Sequence, residues 1–168
     1  MLFNGRMAPF VFFTVFSLCI TWLDQYTKSL VTMYFASPHI IAVVPHINIA
    51  ATINTGIAFS WFASSSDWVH ILLIVSSMLI CTSLSIYQWF VSNEKRFLKW
   101  GLALVIGGAL GNIIDKVCLG YVIDFIDLYW GIWHFATFNI ADAAISLGAI
   151  CLLLDAYTKP STHASVHA

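Results

Sequence analysis

Charge is what this chain has least of. Only 9% of its 168 residues are Asp, Glu, Lys or Arg, the net charge is −1, and no dense basic cluster stands ready to neutralise phosphates. Nucleic acid is therefore excluded as a partner. No stretch rich in proline, glycine and serine divides the sequence and no internal repeat recurs, so a single domain over residues 1–168 is expected. Cysteine is sparse: Cys19, Cys81, Cys118 and Cys151 lack metal-ligand spacing, and three of them lie in apolar runs where cysteine packs as a small hydrophobe. Neither a zinc site nor a disulfide is expected. Also missing are a G-x-S-x-G elbow, an H-E-x-x-H helix and a C-x-x-C pair. The serines at 64–66 have no histidine of matching context, and none of the six histidines is given a catalytic role.

What the chain does have is apolar length. Hydrophobic residues make up 60% of it. Residues 68–91 contain no Asp, Glu, Lys or Arg, more than the ~20 residues a membrane-spanning helix needs. A second apolar run starts near residue 7 and continues through "DQYTK", giving a span of about 9–35, and residues 97–114 and 135–156 supply two more. The third is short, so Lys99 is expected to snorkel to the headgroups. The expected fold is thus an all-α membrane protein of four transmembrane helices.

Orientation follows from the basic residues. Arg6, Lys95, Arg96, Lys99 and Lys159 fall on one side of a four-span topology, while the connections 36–67 and 115–134 contain only Lys116. By the positive-inside rule both termini are expected in the cytoplasm and both connections outside, with Trp61, Trp68, Trp130 and Trp133 at the outer boundary. Arg6 ahead of an apolar run resembles a signal sequence, but no small-x-small site closes the run and Leu18 precedes Cys19. The first helix is expected to remain attached. In the loop 36–67, β-branched residues broken by Pro45 and Gly56 predict short strands, a small β-structured element on the membrane surface. The connection 115–134, apolar and aromatic with Asp124 and Asp127 interleaved, predicts a short interfacial helix.

The few polar residues near these spans are expensive there, by ~2.5 to 3.5 kcal/mol for Asp or Lys at mid-membrane. Asp24 and Lys28 are spaced i, i+4, which suits a helix-supporting ion pair as well as a site. Asn54 and Gly56 make either a turn or an amide aimed at a ligand. Glycines 107, 108 and 111 allow close helix approach, and Asn112, Asp115 and Lys116 follow at the outer end of that helix, as terminus charges or as site groups. Asn139 can cap the fourth helix with Asp142 at its third position. Capping does not explain Asp124, set among Val122, Ile123, Phe125 and Ile126 on the same side. Two aspartates at one apolar boundary suit an aspartic hydrolase, in which one carboxyl stays protonated while its ionised partner activates water.

In order, "DQYTK" (24–28), "NTGIAF" (54–59), "GALGNIIDK" (108–116), "VIDF" (122–125) and "FNIAD" (138–142) resemble the five motifs of the bacterial lipoprotein signal peptidases, the signal peptidase II family. The resemblance implies an aspartic endopeptidase with four spanning helices in the bacterial inner membrane. It would cut the signal peptide from diacylglyceryl-modified prolipoproteins just before the lipidated cysteine, at the periplasmic side. It implies Asp124 and Asp142 as the catalytic pair, with Asn54, Gly56, Asn112, Asp115, Asn139, Asp24 and Lys28 at supporting or substrate-holding positions. Lys116 stands where the family usually has arginine, keeping the charge but not the fork that holds two acceptors. No metal or organic cofactor is implied; prolipoprotein and membrane lipids are the expected partners, and a monomer the expected state. A carboxylate-dependent transporter would be built from repeated, interrupted helices around a midplane site, whereas here the acids collect at one surface. A homologue that binds lipoproteins without cleaving them would carry the same motifs.

Overall fold

The computed structural model describes residues 4–34, 40–55 and 67–158. Among them are four helices long and apolar enough to cross a membrane: α1 (Asn4–Tyr34), α2 (Asp67–Phe90), α3 (Arg96–Leu119) and α4 (Ile140–Tyr157). Four strands also lie among the described residues: β1 (Ile41–Val44), β2 (Ile47–Asn54), β3 (Val122–Trp130) and β4 (Trp133–His134).

α3 is central and packs against α1, α2 and α4. Its contact with α2 is apolar, a core of Cys81, Val91, Leu98, Leu102, Ile106 and Ile113. Its contact with α1 is different. The buried stripe of α1 runs through Phe13, Ser17, Thr21, Asp24, Lys28 and Val31, steps of three and four that keep one face turned inward, and four of the six are polar. The lipid-facing sides need no polarity, so the polar groups turn to their neighbours: the Ser17 hydroxyl lies 2.9 Å from the Ala103 carbonyl oxygen, and Thr21 donates to that of Gly107 at 2.8 Å. Glycine lets the backbones meet there. A Cβ at Gly107 would stand 2.6 Å from the Ser17 carbonyl, and one at Gly108 would collide with the Ala141 carbonyl on α4.

The strands form one antiparallel array in the order β1-β2-β3-β4. β1 and β2 turn through Pro45 and His46, the latter at φ 73°, and both lie in the connection expected to form strands. The expected interfacial helix over 115–134 is not there. α3 continues to Leu119, carrying Asp115 and Lys116 within it, and ends at Gly120, whose left-handed φ of 82° returns its N–H to the Lys116 carbonyl at 3.2 Å. The β-branched and aromatic residues that follow then pair with β2 as β3. Asp124 and Asp127, interleaved with apolar and aromatic residues, suggested an interfacial helix, but in the strand the two carboxylates serve different neighbours. Asp124 turns towards the helices, and Asp127 accepts from the Asn48 amide at 2.9 Å and lies 2.9 Å from His134 Nδ1. Lys99, in the first turn of α3, is only 4% exposed and lies inside the bundle end.

Gly108→Ala should lower the melting temperature of the detergent-solubilised protein, since overpacking of this kind costs ~1–3 kcal/mol. Gly5→Ala, whose Cβ would meet nothing within 4 Å, should leave it unchanged; equal effects would contradict the close α3–α4 seam.

Candidate active site

Asp24 and Lys28 are 0% and 2% exposed, and an ammonium withdrawn from water must find oxygen. Lys28 Nζ lies 2.7 Å from Asp24 Oδ2 and 2.7 Å from Asp115 Oδ2 on α3, and donates to Asn112 Oδ1 at 3.1 Å. Its three donors therefore meet three acceptors. The carboxylates use their remaining capacity on backbone. Asp24 Oδ1 accepts the Ala141 N–H in the first turn of α4 at 2.9 Å, and Asp115 Oδ2 accepts the Ile123 N–H of β3 at 3.2 Å. Gln25 adds an amide donated to Asp115 Oδ1 at 2.7 Å and to the Gly111 carbonyl at 3.1 Å. One ion cluster thus ties α1, α3, α4 and the sheet together at a single level.

Directly beside it stand Asp124 and Asp142. Asp124 is paired with Thr52 across β2 and β3, while Asn54 faces Val122, so Asn54 lies diagonal to Asp124 on one face and donates to its Oδ2 at 2.9 Å. The other edge of β3 bonds to Phe138, whose carbonyl accepts the N–H groups of Phe125 and Ile126 at 3.1 and 2.8 Å. That bridge delivers the next residue, Asn139, as the N-cap of α4. Asn139 Oδ1 accepts the Asp142 N–H at 2.9 Å and Asp142 Oδ2 accepts the Asn139 N–H at 3.3 Å, a reciprocal capping box. The Asn139 amide also donates to Asp124 Oδ1 at 2.7 Å. One asparagine therefore touches both aspartates. Asn112 completes the set by donating to Asp142 Oδ1 at 2.8 Å, and its own carbonyl is occupied by Lys28 and by the Asn139 amide at 3.1 Å.

The two carboxyls sit in unlike surroundings. Asp124 is 2% exposed and Asp142 is half-buried at a helix N-terminus. Burial pushes the Asp124 carboxyl above its ordinary range, against the lowering effect of the Asn54 amide, and the neighbouring Asp142 charge pushes it the same way. Asp127 is the reverse case: the Asn48 amide and His134 hold it below the usual range. A carboxyl that resists ionisation beside one served by N–H donors is the arrangement that general acid and general base chemistry needs.

Of the residues singled out in sequence, Asp24, Lys28, Asn54, Asn112, Asp115, Asp124, Asn139 and Asp142 come together here. Lys116 does not join them; it is half-buried in the last turn of α3 with no hydrogen bond or ion pair from its side chain to a described residue. Gly56 lies outside the described residues. Sequence reasoning missed Gln25, although it sits inside the "DQYTK" stretch one residue from Asp24, and it missed Phe138, whose contribution is a backbone bridge that no side-chain pattern signals. Among the described residues no group of three or more His, Cys, Asp or Glu side chains is placed to hold a metal ion.

A family model for signal peptidase (SPase) II matches residues 16–158. The chain is 37% identical over 147 residues to a lipoprotein signal peptidase of Coxiella burnetii (strain RSA 331 / Henzerling II), covering 88% of this chain and 90% of that one. A lipoprotein signal peptidase of Photorhabdus laumondii subsp. laumondii is 38% identical over 138 residues, covering 82% and 83%. A bacterial membrane enzyme solved by the in meso method at 1.9 Å superposes with a TM-score of 0.72 and 27% identity over 94% of this chain and 95% of its own.

Removing the cation at the centre of the cluster should be severe. Lys28→Met leaves Asp24 and Asp115 buried without their counter-charge, and breaking a buried pair from one side costs ~3–5 kcal/mol. Thermal unfolding in detergent should show a large drop; a melting temperature near wild type would mean that the cluster does not hold the helices together.

Proposed function

This chain belongs to the signal peptidase II family, and on that footing we propose that Asp124 and Asp142 are its catalytic pair. It is a multi-pass membrane protease that removes signal peptides from prolipoproteins. Our reading adds the chemistry and the side. The substrate is the diacylglyceryl-modified precursor, cut just before the lipidated cysteine, and the dyad faces the periplasm from the outer boundary of the inner membrane, with both termini cytoplasmic. The distribution of Lys and Arg supports that orientation. The whole of residues 1–168 then acts as one integral domain and works as a monomer.

The observation that carries the residue assignment is the sharing of Asn139 between two carboxyls of unlike setting. Asp124, raised by burial, holds the proton, and Asp142, bonded to the Asn112 amide and the Asn139 N–H, is the anion. Asp142 takes a proton from water as the water oxygen attacks the scissile carbonyl, and Asp124 gives its proton to the carbonyl oxygen. In the reverse transfers, Asp124 recovers a proton from the resulting diol as the C–N bond breaks, and the leaving nitrogen takes the proton held by Asp142. Both groups return to their starting states. Asn54 and Asn139 steady Asp124 through this exchange, while Asp24, Lys28 and Asp115 hold the elements in register. Lys116 offers its charge to a substrate carbonyl, and Gly56 shapes the approach to the site.

Asp124→Asn and Asp142→Asn should each abolish cleavage of a diacylated prolipoprotein in a gel-shift assay while leaving a folded protein. The double variant should be scarcely worse than either single one. Substantial turnover by either single variant would remove that residue from the pair.

The pH profile should fall on both sides of a plateau. Below it the anion is protonated; above it the raised Asp124 carboxyl loses its proton. Dependence on a single ionisation would sink the shared-proton mechanism.

A further inference from the structure

At the end of the bundle remote from the dyad, four cations outnumber the two carboxylates, Glu94 and Asp155. Arg6 on α1 and Lys95, Arg96 and Lys99 at the start of α3 lie there, the two segments joined by the Asn93 amide on the Gly5 carbonyl. Among the described residues none of the four forms an ion pair. Asp115 and the cluster it belongs to stand about 24 Å further along α3 by helical rise.

Lys99 is the cation that this end has enclosed. Its ammonium lies 5.9 Å from the centre of the Phe13 ring and donates to Asn93 Oδ1, its one hydrogen-bond partner among the described residues. An ammonium has three donors, and two of these remain. Asn93 is itself fixed. Pro9 has no N–H to give the Gly5 carbonyl four residues earlier in α1, and the Asn93 amide supplies that bond at 3.0 Å. Beside these groups opens a pocket of about 340 Å³ lined by Pro9, Phe13, Asn93, Arg96, Lys99 and Trp100. The Trp100 ring is held edge-on by Phe12, Phe13 and Phe16, with centroids 5.9, 5.1 and 4.8 Å away, and Phe12 is 55% exposed.

We propose that this pocket binds the headgroup phosphate of an anionic phospholipid. Lys99 and Arg96 take the phosphate oxygens, Arg6 and Lys95 add to the attracting field, and an acyl chain continues along Phe12 and Trp100. Basic pockets between spanning helices are suited to such headgroups. A lipid fits better than a free anion because the cations open onto exposed aromatic side chains, which inorganic phosphate would leave in contact with nothing. The inference is independent of the chemistry proposed for the dyad.

The full-length protein, in mixed micelles of phosphatidylglycerol and phosphatidylcholine with identical acyl chains, should retain phosphatidylglycerol preferentially by native mass spectrometry. Lys99→Met and Arg96→Gln should each weaken that preference about fivefold, as expected for one basic side chain near an anionic surface. Prolipoprotein cleavage in detergent should be unchanged in Arg96→Gln. Equal retention of the two lipids by the wild type, or an undiminished preference in the folded variants, would overturn the proposal. Displacement of the lipid by millimolar inorganic phosphate would overturn it too, by making the ligand a free anion. Should Lys99→Met fail to fold, the exposed Arg96→Gln decides the question alone.

Discussion

The ammonium of Lys28 is buried where helices, not water, surround it, and an ion in that position has to be met by oxygen on every donor or not be there at all. Its three partners come from two helices, Asp24 on α1 and both Asp115 and Asn112 on α3. The same two carboxylates reach on to the backbone of α4 and of β3. Four elements are therefore tied together at this level by one charge. In a membrane this logic carries extra force, because lipid tails are as apolar as leucine and give helices no hydrophobic reason to prefer one another. Hydroxyls of Ser17 and Thr21 and the closeness permitted at Gly107 and Gly108 continue the seam down the bundle.

The ion cluster also accounts for how the candidate catalytic aspartates are reached from two directions. Asp115 fixes the start of β3, so Asp124 one residue past Ile123 is set in height; Asp24 fixes the first turn of α4, so Asp142 one residue past Ala141 is set likewise. The Phe138 bridge closes the gap between strand and helix, and Asn139 bonds to both carboxyls. Lys28 acts on this pair at one remove. By occupying the carbonyl of Asn112 it leaves that residue's amide to face Asp142.

The molecule is electrically two-ended. The end that carries the sheet holds Asp24, Asp115, Asp124, Asp127 and Asp142 around the buried Lys28 ammonium, and at the other end Arg6, Lys95, Arg96 and Lys99 outnumber Glu94 and Asp155 and form no ion pair among the described residues. The enclosed Lys99 shows that the positive end is more than a row of solvated side chains, since its ammonium has an aromatic ring, an asparagine and a pocket around it.

Much of this was legible in the chain itself. Runs of uncharged residues longer than a bilayer is thick specify spanning helices because length and hydropathy are local properties, and the cost of a carboxylate beside such a run marks Asp24, Asp115, Asp124 and Asp142 as residues with work to do. The Asn139–Asp142 cap is equally local, an N-cap residue followed three positions later by a carboxylate. What tertiary structure decided is everything that depends on a partner far along the chain. Residues 122–130 form a strand and not an interfacial helix because β2, some 70 residues earlier, offers them a ladder; Lys99 is enclosed because Asn93 turns to a carbonyl left vacant by Pro9 in α1. Gln25 matters through Asp115 and the Gly111 carbonyl on α3, and Phe138 through the backbone of β3, partners far along the chain. The pairing of Asp124 with Asp142 through one asparagine likewise exists only once the sheet edge meets the helix cap, because hydrogen bonds are made between neighbours in space, and spacing along the chain specifies those neighbours only within a turn or two.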